Sequence, residues 1–220
     1  ALLRLSNYAG SDGEPLSDPT CGSGTLAIEG ALLACNRAPG LRRGFAFQSW
    51  PSYRPELYAA LCREAEQRER RCEKGLIVAS DISPEALAVA RRNAERAEVE
   101  ALIRFECRDV KSARLPVGRP GLVLCNPPYG KRLSNGDSDG NLRQLYRAIG
   151  QYARSAPGWR LGLIGPAAAV GLLRGASRHF HTLPLENGGL RVLFCSTAPL
   201  PRIVRGEYAG SGAQALTEGI

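Results

Sequence analysis

Short apolar runs alternate with helical patterns along most of the chain. The runs Leu76–Ser80 and Gly121–Cys125 are mostly apolar, which is typical of strands buried within a sheet. Pro84–Ala97 places apolar residues on one face of a helix and begins with a proline, which suits a helix's first turn. Alternation of this kind predicts an α/β fold in which a mostly parallel sheet carries helices on both faces.

The same pattern predicts the remaining elements. Strands are expected over Pro15–Asp18, Ile103–Cys107, Arg160–Ile164, His179–Leu183 and Leu190–Ser196. Helices are expected over Leu26–Cys35, Asn141–Arg154 and Ala167–Ser177. A Glu-Asn-Gly-Gly turn joins the last two strands as a hairpin, so one strand at the end of the sheet should be antiparallel.

One segment, residues 36–74, interrupts the alternation. It contains five aromatic residues and nine Arg or Lys against five Glu, and we interpret it as an inserted loop followed by a charged helix over about Pro55–Cys72. The aromatic and basic residues fit either RNA contact or a lid packed on the core. We expect one domain over residues 1–204, with a flexible Gly- and Ala-rich tail over 205–220.

Composition narrows the possible partners. The net charge of +8 favours a polyanion such as RNA, because Lys and Arg displace counterions from phosphates. The seven cysteines form no Cys-x-x-Cys pair, so no metal site is expected, and without an export signal they indicate reduced thiols in the cytoplasm. No apolar run is long enough to span a membrane. The chain begins with Ala and lacks Met, which suggests a piece of a longer protein.

A first group of candidate site residues follows the ends of successive strands. Asp18-Pro-Thr-Cys-Gly-Ser-Gly-Thr25 lies between a strand and a helix, where its glycines allow a ligand to approach the backbone closely. Asp81 ends the next predicted strand and could accept hydrogen bonds from the hydroxyls of a ribose. Asp109 follows the third strand and could accept one from an adenine amino group. Each Asp alone could be structural, but three after successive strands indicate a nucleotide-like ligand.

A second group is the tetrad Asn126-Pro127-Pro128-Tyr129, directly after a predicted strand. The prolines fix the backbone and remove two N–H donors. The Asn126 side-chain oxygen and the Pro127 carbonyl could therefore accept both hydrogens of an exocyclic amino group, localise its lone pair and direct it at an electrophilic methyl group. Tyr129 could stack on the base. A proline-rich structural turn is the alternative.

These motifs resemble those of a known family. The Asp18–Thr25 segment is similar to the cofactor motif of class I methyltransferases, and Asn126–Tyr129 is similar to their amino-methylating motif. Ala38-Pro-Gly-Leu41, Gly130 and the aromatic insert extend the resemblance to the RNA guanine-N2 methyltransferases that carry a THUMP domain, in particular those acting on 23S ribosomal RNA. The resemblance covers roughly residues 14–197, and no THUMP-like segment precedes the motif in this chain.

The resemblance implies a Rossmann-like sheet of seven strands, S-adenosylmethionine as cofactor and RNA as partner. It implies cofactor-binding residues Asp18, Cys21, Gly22, Gly24, Thr25, Asp81, Ile82, Asp109 and Val110. It implies catalytic residues Asn126, Pro127 and Tyr129, and no metal. Two alternatives stay open: a DNA adenine-N6 or cytosine-N4 methyltransferase, and an inactive methyltransferase fold that only binds RNA.

Overall fold

A single seven-stranded sheet forms the centre of the protein. The computed structural model describes residues 1–10, 13–41, 43–116, 118–129, 139–173 and 179–201. The strands are Leu16–Asp18 (β1), Ile77–Asp81 (β2), Ile103–Cys107 (β3), Leu122–Cys125 (β4), Arg160–Gly165 (β5), His181–Asn187 (β6) and Leu190–Ser196 (β7). The helices are Leu2–Leu5 (α1), Thr25–Ala34 (α2), Pro55–Gln67 (α3), Pro84–Arg96 (α4), Asp139–Arg154 (α5) and Ala167–Leu173 (α6), with short 3₁₀ turns at Ala46–Ser49 and Glu100–Leu102.

The strand order is β3-β2-β1-β4-β5-β7-β6; β7 runs antiparallel to both of its neighbours, β5 and β6, and the other neighbouring pairs are parallel. This confirms the predicted sheet. The chain winds outward from β1 to β3 and then returns to place β4 on the other side of β1. The order therefore reverses between β1 and β4, which is where open α/β sheets bind ligands, beyond the carboxyl ends of the strands.

Two hydrophobic clusters show that the helices cover both faces. Side chains alternate along a strand, so in β4 Leu122 and Leu124 face one cluster, while Val123 and Cys125 face the other. The first cluster contains buried residues of α2 and α4, and the second contains buried residues of α5 and α6. No helix in the described ranges is long and apolar enough to cross a membrane.

The closing hairpin differs from the prediction, because β6 covers His181–Asn187 rather than 179–183. Asn187 pairs with Leu190, which leaves Gly188 and Gly189 as a two-residue turn, and both have a positive φ. Such a turn is favoured in hairpins because its twist matches that of the strands. Pro184 lies inside β6 and is tolerated because β6 is an edge strand.

The inserted helix is also shorter than predicted, since α3 ends at Gln67 and not at Cys72. After α3 the chain turns back to the end of α2, where the Arg70 N–H donates to the Cys35 carbonyl at 2.7 Å. The Arg37 guanidinium holds the Glu69 carboxylate through two hydrogen bonds of 3.1 Å. We call these contacts, which attach the insert to the rest of the domain, the neck of the insert. They lie where α2 ends and β2 begins, at the sheet edge opposite the carboxyl ends of the strands.

The helix of the insert, α3, is not packed into the core. No residue of α3 is buried. The aromatic side chains of the insert pack on one another. The ring centroid of Phe47 lies 5.4 Å from that of Phe45 and 5.6 Å from that of Tyr58. Trp50 is 62% exposed. Arg42, the tail 205–220 and residues 174–178 of the predicted helix Ala167–Ser177 lie outside the described residues.

Candidate active site

The glycine-containing loop follows β1 at the point where the strand order reverses. The Cys21 N–H donates to the Ser80 carbonyl of β2 at 2.9 Å, which ties the loop to the neighbouring strand. Gly22 and Gly24 have φ values of 51° and 84°, a region that favours glycine. A Cβ on Gly24 would lie 3.0 Å from Ala90 of α4, whereas one on Gly22 would meet nothing within 4 Å. Gly24 thus permits helix packing, and Gly22 leaves open space beside the loop.

Asp81 connects this loop to the end of β2. One carboxylate oxygen accepts the Gly22 N–H at 2.9 Å, and the other accepts the Ser83 N–H at 3.0 Å. Ser83 itself caps α4 by accepting the Ala86 N–H at 3.1 Å, so Asp81 is not needed as the helix cap. Each carboxylate oxygen keeps a second lone pair. Asp81 therefore fixes the loop and retains acceptor capacity for a ligand.

A cleft of about 480 Å³ opens beside Asp81, and we call it the first cleft. Asp109, which follows β3, lies in its wall together with Ile82 and Val110. One Asp109 oxygen accepts the Lys111 N–H at 2.9 Å, which orients the carboxylate. The wall also contains Asn141, Gln144 and Leu145 of α5, which the sequence analysis missed. They lie in a helix that was predicted only from its apolar spacing, so nothing in that pattern marked them.

A second cleft, of about 810 Å³, lies on the other side of the loop. Its wall contains Asp18, Cys21, Thr25 and residues of α1, the short first helix that the sequence analysis did not predict. Thr20, Gly22 and Asn126 line both clefts and form their junction. The structure therefore brings most of the predicted site residues to two adjoining clefts, although Gly24, Pro127 and Tyr129 line neither.

Asp18 is buried at the end of β1, with 1% of its surface exposed. Burial raises the pKa of its carboxyl to about 7 from an ordinary 3.8, and the Asp81 charge raises it further, against a lowering hydrogen bond from the Thr20 N–H. Burial also raises the pKa of the Cys21 and Cys125 thiols. Neither cysteine is therefore set up as a thiolate nucleophile.

The tetrad continues from β4 into the junction. The Asn126 side-chain oxygen is buried and has no hydrogen-bond partner within the described residues. Tyr129 is only 3% exposed, packs with Ile164 and Val192, and accepts a hydrogen bond from the Asn187 amide. As placed, its ring anchors the tetrad to the β6–β7 hairpin and offers no free face to a base. Gly130 lies outside the described residues.

The unpartnered atoms matter because buried polar groups without partners are rare in folded proteins. Thr20, like Asn126, has a buried side-chain oxygen without a partner in the described part of the chain. Thr20 is not among the predicted site residues, because a threonine in a loop is an ordinary polar residue. No group of three or more His, Cys, Asp or Glu within the described ranges is placed to hold a metal ion.

The fold and the site together define a class of protein. A seven-stranded sheet with a reversed strand, a glycine loop after β1 and acidic residues after β2 and β3 are the features of a class I S-adenosylmethionine-dependent methyltransferase. The open junction and the acceptor groups of both clefts fit that cofactor, which has a ribose, an adenine and a charged amino-acid end.

Comparison with known proteins gives the family. Residues 1–167 match the family described as RMKL-like, methyltransferase domain, and the chain belongs to that family. It is 44% identical over 161 residues to the ribosomal RNA large subunit methyltransferase K/L of Chromohalobacter salexigens, an alignment covering 69% of this chain and 21% of the relative. The corresponding protein of Marinobacter nauticus is 38% identical over 187 residues, covering 82% and 25%. The chain thus spans about a quarter or less of these relatives' length.

A solved structure agrees with the class. The protein SMU.472, crystallised with SAH, superimposes with a TM-score of 0.73 at 26% identity, over 89% of this chain and 53% of the other. SAH is the demethylated product of S-adenosylmethionine. The chain therefore belongs to a methyltransferase-domain family, and the match confirms the predicted fold.

Proposed function

We propose that this domain transfers a methyl group from S-adenosylmethionine to the exocyclic N2 amino group of guanine in RNA, with 23S ribosomal RNA as the acceptor. The observation that carries the proposal is the position of Asn126 at the junction of the two clefts, followed directly by Pro127. The names of the two ribosomal RNA methyltransferase relatives and the net charge of +8 support an RNA acceptor.

The main task of the protein in this reaction is to position the reacting groups. The amino nitrogen of a base is a weak nucleophile because its lone pair is delocalised into the ring. The bound cofactor supplies an electrophilic methyl group. The Asn126 oxygen and the Pro127 carbonyl accept the two amino hydrogens, which localises the lone pair and directs it at the methyl carbon. A strong general base is unnecessary, because the amino proton becomes acidic only as the nitrogen–carbon bond forms.

Rotation of the Asn126 amide is part of this proposal. Its oxygen is buried in the structure, and a turn of 180° exchanges the oxygen with the amide nitrogen. An amide oxygen without a donor loses no hydrogen bond when it rotates toward the junction. Because Pro127 has no N–H, the turn after Asn126 presents acceptors and no competing donor at that position.

The clefts suggest how the cofactor lies. In the first cleft Asp81 holds the ribose and Asp109 the adenine amino group, with Ile82 and Val110 packing on the ring. The amino-acid end lies beside the loop, near Asp18, Cys21 and Thr25. Gly22 lets the cofactor approach the backbone, and Gly24 permits the close packing of α2 that holds the loop in place.

Stacking of the base on Tyr129 needs a rearrangement. The ring would have to leave its contacts with Ile164 and Val192 and give up the hydrogen bond with Asn187. The proposal therefore assigns Tyr129 two positions, one that anchors the empty tetrad and one that stacks on a bound base. A Tyr129→Phe variant, which loses the hydrogen bond with Asn187 and keeps the ring, should keep stacking.

The test of this function is product analysis. The domain is incubated with labelled S-adenosylmethionine and 23S ribosomal RNA or duplex DNA, and the nucleosides are then separated. The proposal predicts N2-methylguanosine from RNA and no labelled DNA. Formation of N6-methyladenine in DNA would show that the acceptor is DNA and not RNA. Cofactor binding without methyl transfer to either nucleic acid would favour an inactive RNA-binding fold.

A further inference from the structure

A groove lined by arginines lies between the insert and α4. It has a volume of about 420 Å³, and its wall is formed by the end of α2, the first residues of the insert and the last turn of α4. Among the described residues that line it, Arg37, Arg43 and Arg96 carry charge, and none is Asp or Glu. We call it the basic groove. A concave surface lined by one sign of charge attracts ligands of the opposite sign.

Two of the three arginines are available to an anion. Arg37 belongs to the neck of the insert, where it pairs with Glu69 at 3.1 Å and with Glu98 at 3.8 Å. Arg43 and Arg96 are exposed, and neither forms an ion pair with any residue that the structure describes. A positive charge in the last turn of a helix is favourable in itself, which accounts for Arg96 alone. It does not account for Arg43 in the wall of the same groove.

Aromatic rings adjoin the basic groove on the side of the insert. The Arg43 guanidinium lies 4.6 Å from the ring centroid of Phe45, which in turn stacks on Phe47 at an interplanar angle of 20°. Phe47 and the largely exposed Trp50 line a shallow surface groove of their own. Arginines beside accessible aromatic rings are typical of surfaces that bind unpaired RNA, because phosphates contact the arginines and bases stack on the rings.

One residue of the basic groove also contacts the glycine-containing loop. The Asn93 side chain of α4 lines the groove, and its amide donates to the Ser23 carbonyl at 3.0 Å. Ser23 lines the second cleft, whose wall includes Asn126. The basic groove is therefore linked through single residues to the aromatic rings of the insert and to the cleft in which the tetrad lies.

We infer that the basic groove binds the phosphate backbone of an unpaired RNA segment flanking the target nucleotide, held by Arg43 of the insert and Arg96 of α4. Phosphate contacts fix the position of a nucleic acid without reading its sequence, so this site orients the RNA and takes no part in methyl transfer. The inference rests on the proposed RNA acceptor. It adds an RNA contact on α4, outside the insert and outside both clefts.

The salt dependence of RNA binding tests the inference. The probe is a short labelled oligouridylate, because phosphate contacts do not depend on sequence, and its affinity is measured by fluorescence anisotropy at several salt concentrations. Arg96→Ala should weaken binding on the order of tenfold at low salt and reduce the slope of log affinity against log salt by about one. Arg96→Lys keeps the charge and should retain most of the slope.

Arg154→Ala is the matched control. Arg154 is likewise an exposed arginine in the last turn of a helix, α5, but it lines neither the clefts nor the basic groove. Its loss changes the net charge and the helix end in the same way. It should leave the affinity for oligouridylate and the slope unchanged, and neither variant should alter the affinity for SAH.

The remaining outcomes overturn the inference. Equal effects of Arg96→Ala and Arg154→Ala would mean that only net charge matters, and an unchanged slope for Arg96→Ala would remove the groove from the RNA site. Tighter binding of a duplex of the same length would contradict an unpaired segment. If the wild type binds no RNA, the proposed RNA acceptor fails as well, whereas a failure confined to Arg96→Ala leaves that proposal standing.

Discussion

The carboxyl edge of the sheet and the insert differ in how their residues are held. At the edge, Asp81 is fixed by backbone hydrogen bonds from Gly22 and Ser83, and strands of one sheet determine where Asp18 and Asn126 lie. In the insert, aromatic residues stack on one another and α3 contains no buried residue. A neck of a few hydrogen bonds attaches it to the opposite edge. Substitutions at the edge should therefore change chemistry and cofactor affinity, and substitutions in the insert should change neither.

The largest expected effect belongs to Asn126. Asn126→Ala removes an acceptor that acts as charge develops on the amino nitrogen, so single-turnover methylation should fall about 10²–10³-fold. Cofactor affinity should barely change, because the residue acts on the base. Asn126→Asp keeps an acceptor and should retain part of the rate. Near-normal turnover of Asn126→Ala would refute the proposed role of the tetrad.

Asp18 should make stability depend on pH. Its pKa of about 7 in the folded protein lies above the ordinary 3.8, so the folded state keeps a proton that the unfolded state loses. The free energy of unfolding should therefore be highest below about pH 4 and should fall as the pH rises to about 7. The expected decrease is on the order of 2–4 kcal/mol. Urea unfolding of the wild type and Asp18→Asn at several pH values measures this. Parallel pH profiles of the two proteins would contradict it.

Asp81 should act on the cofactor. Asp81→Ala removes the acceptor proposed for the ribose and also releases the Gly22 N–H, so SAH affinity should fall by about 1–3 kcal/mol. The matched control is Glu85→Ala, an exposed acid of α4 that lines neither cleft. Unchanged calorimetric affinity of Asp81→Ala would remove Asp81 from the site.

The insert should contribute to RNA affinity alone. Arg43 stacks over Phe45 at 4.6 Å, and its neighbour Arg42 lies outside the described residues. Replacing both with Ala should reduce the slope of log affinity against log salt by about one for each lost phosphate contact. SAH affinity should not move. A constant slope with lower stability would mean that the two arginines serve only the structure of the insert.

Local patterns predicted most of the sheet but not its long-range bonds. Buried strands such as β4 are visible as apolar runs, and Asp18, Asp81 and Asp109 are visible because they follow strands. After the early end of α3, the chain is held by the hydrogen bond from Arg70 to Cys35, which joins distant parts of the chain. No spacing in the sequence encodes such a contact.

In the candidate site too, contacts between distant parts of the chain could not be predicted from the sequence. The motif identified Asn126 and Tyr129 as candidates, yet Tyr129 is buried by its packing on β5 and β7 and held by Asn187 of β6. Thr20 became a candidate only when its buried hydroxyl proved to lack a partner among the described residues. Both facts depend on which side chains the fold brings together, and sequence spacing within the loop or the tetrad does not contain them.

Amide hydrogen exchange with and without SAH tests the contrast between the two regions most directly. We expect slower exchange on binding in peptides covering residues 18–25, 80–83 and 107–110, with no change over 43–67. Protection of the insert together with an unchanged glycine loop would contradict it, because the cofactor would then lie away from the carboxyl edge of the sheet.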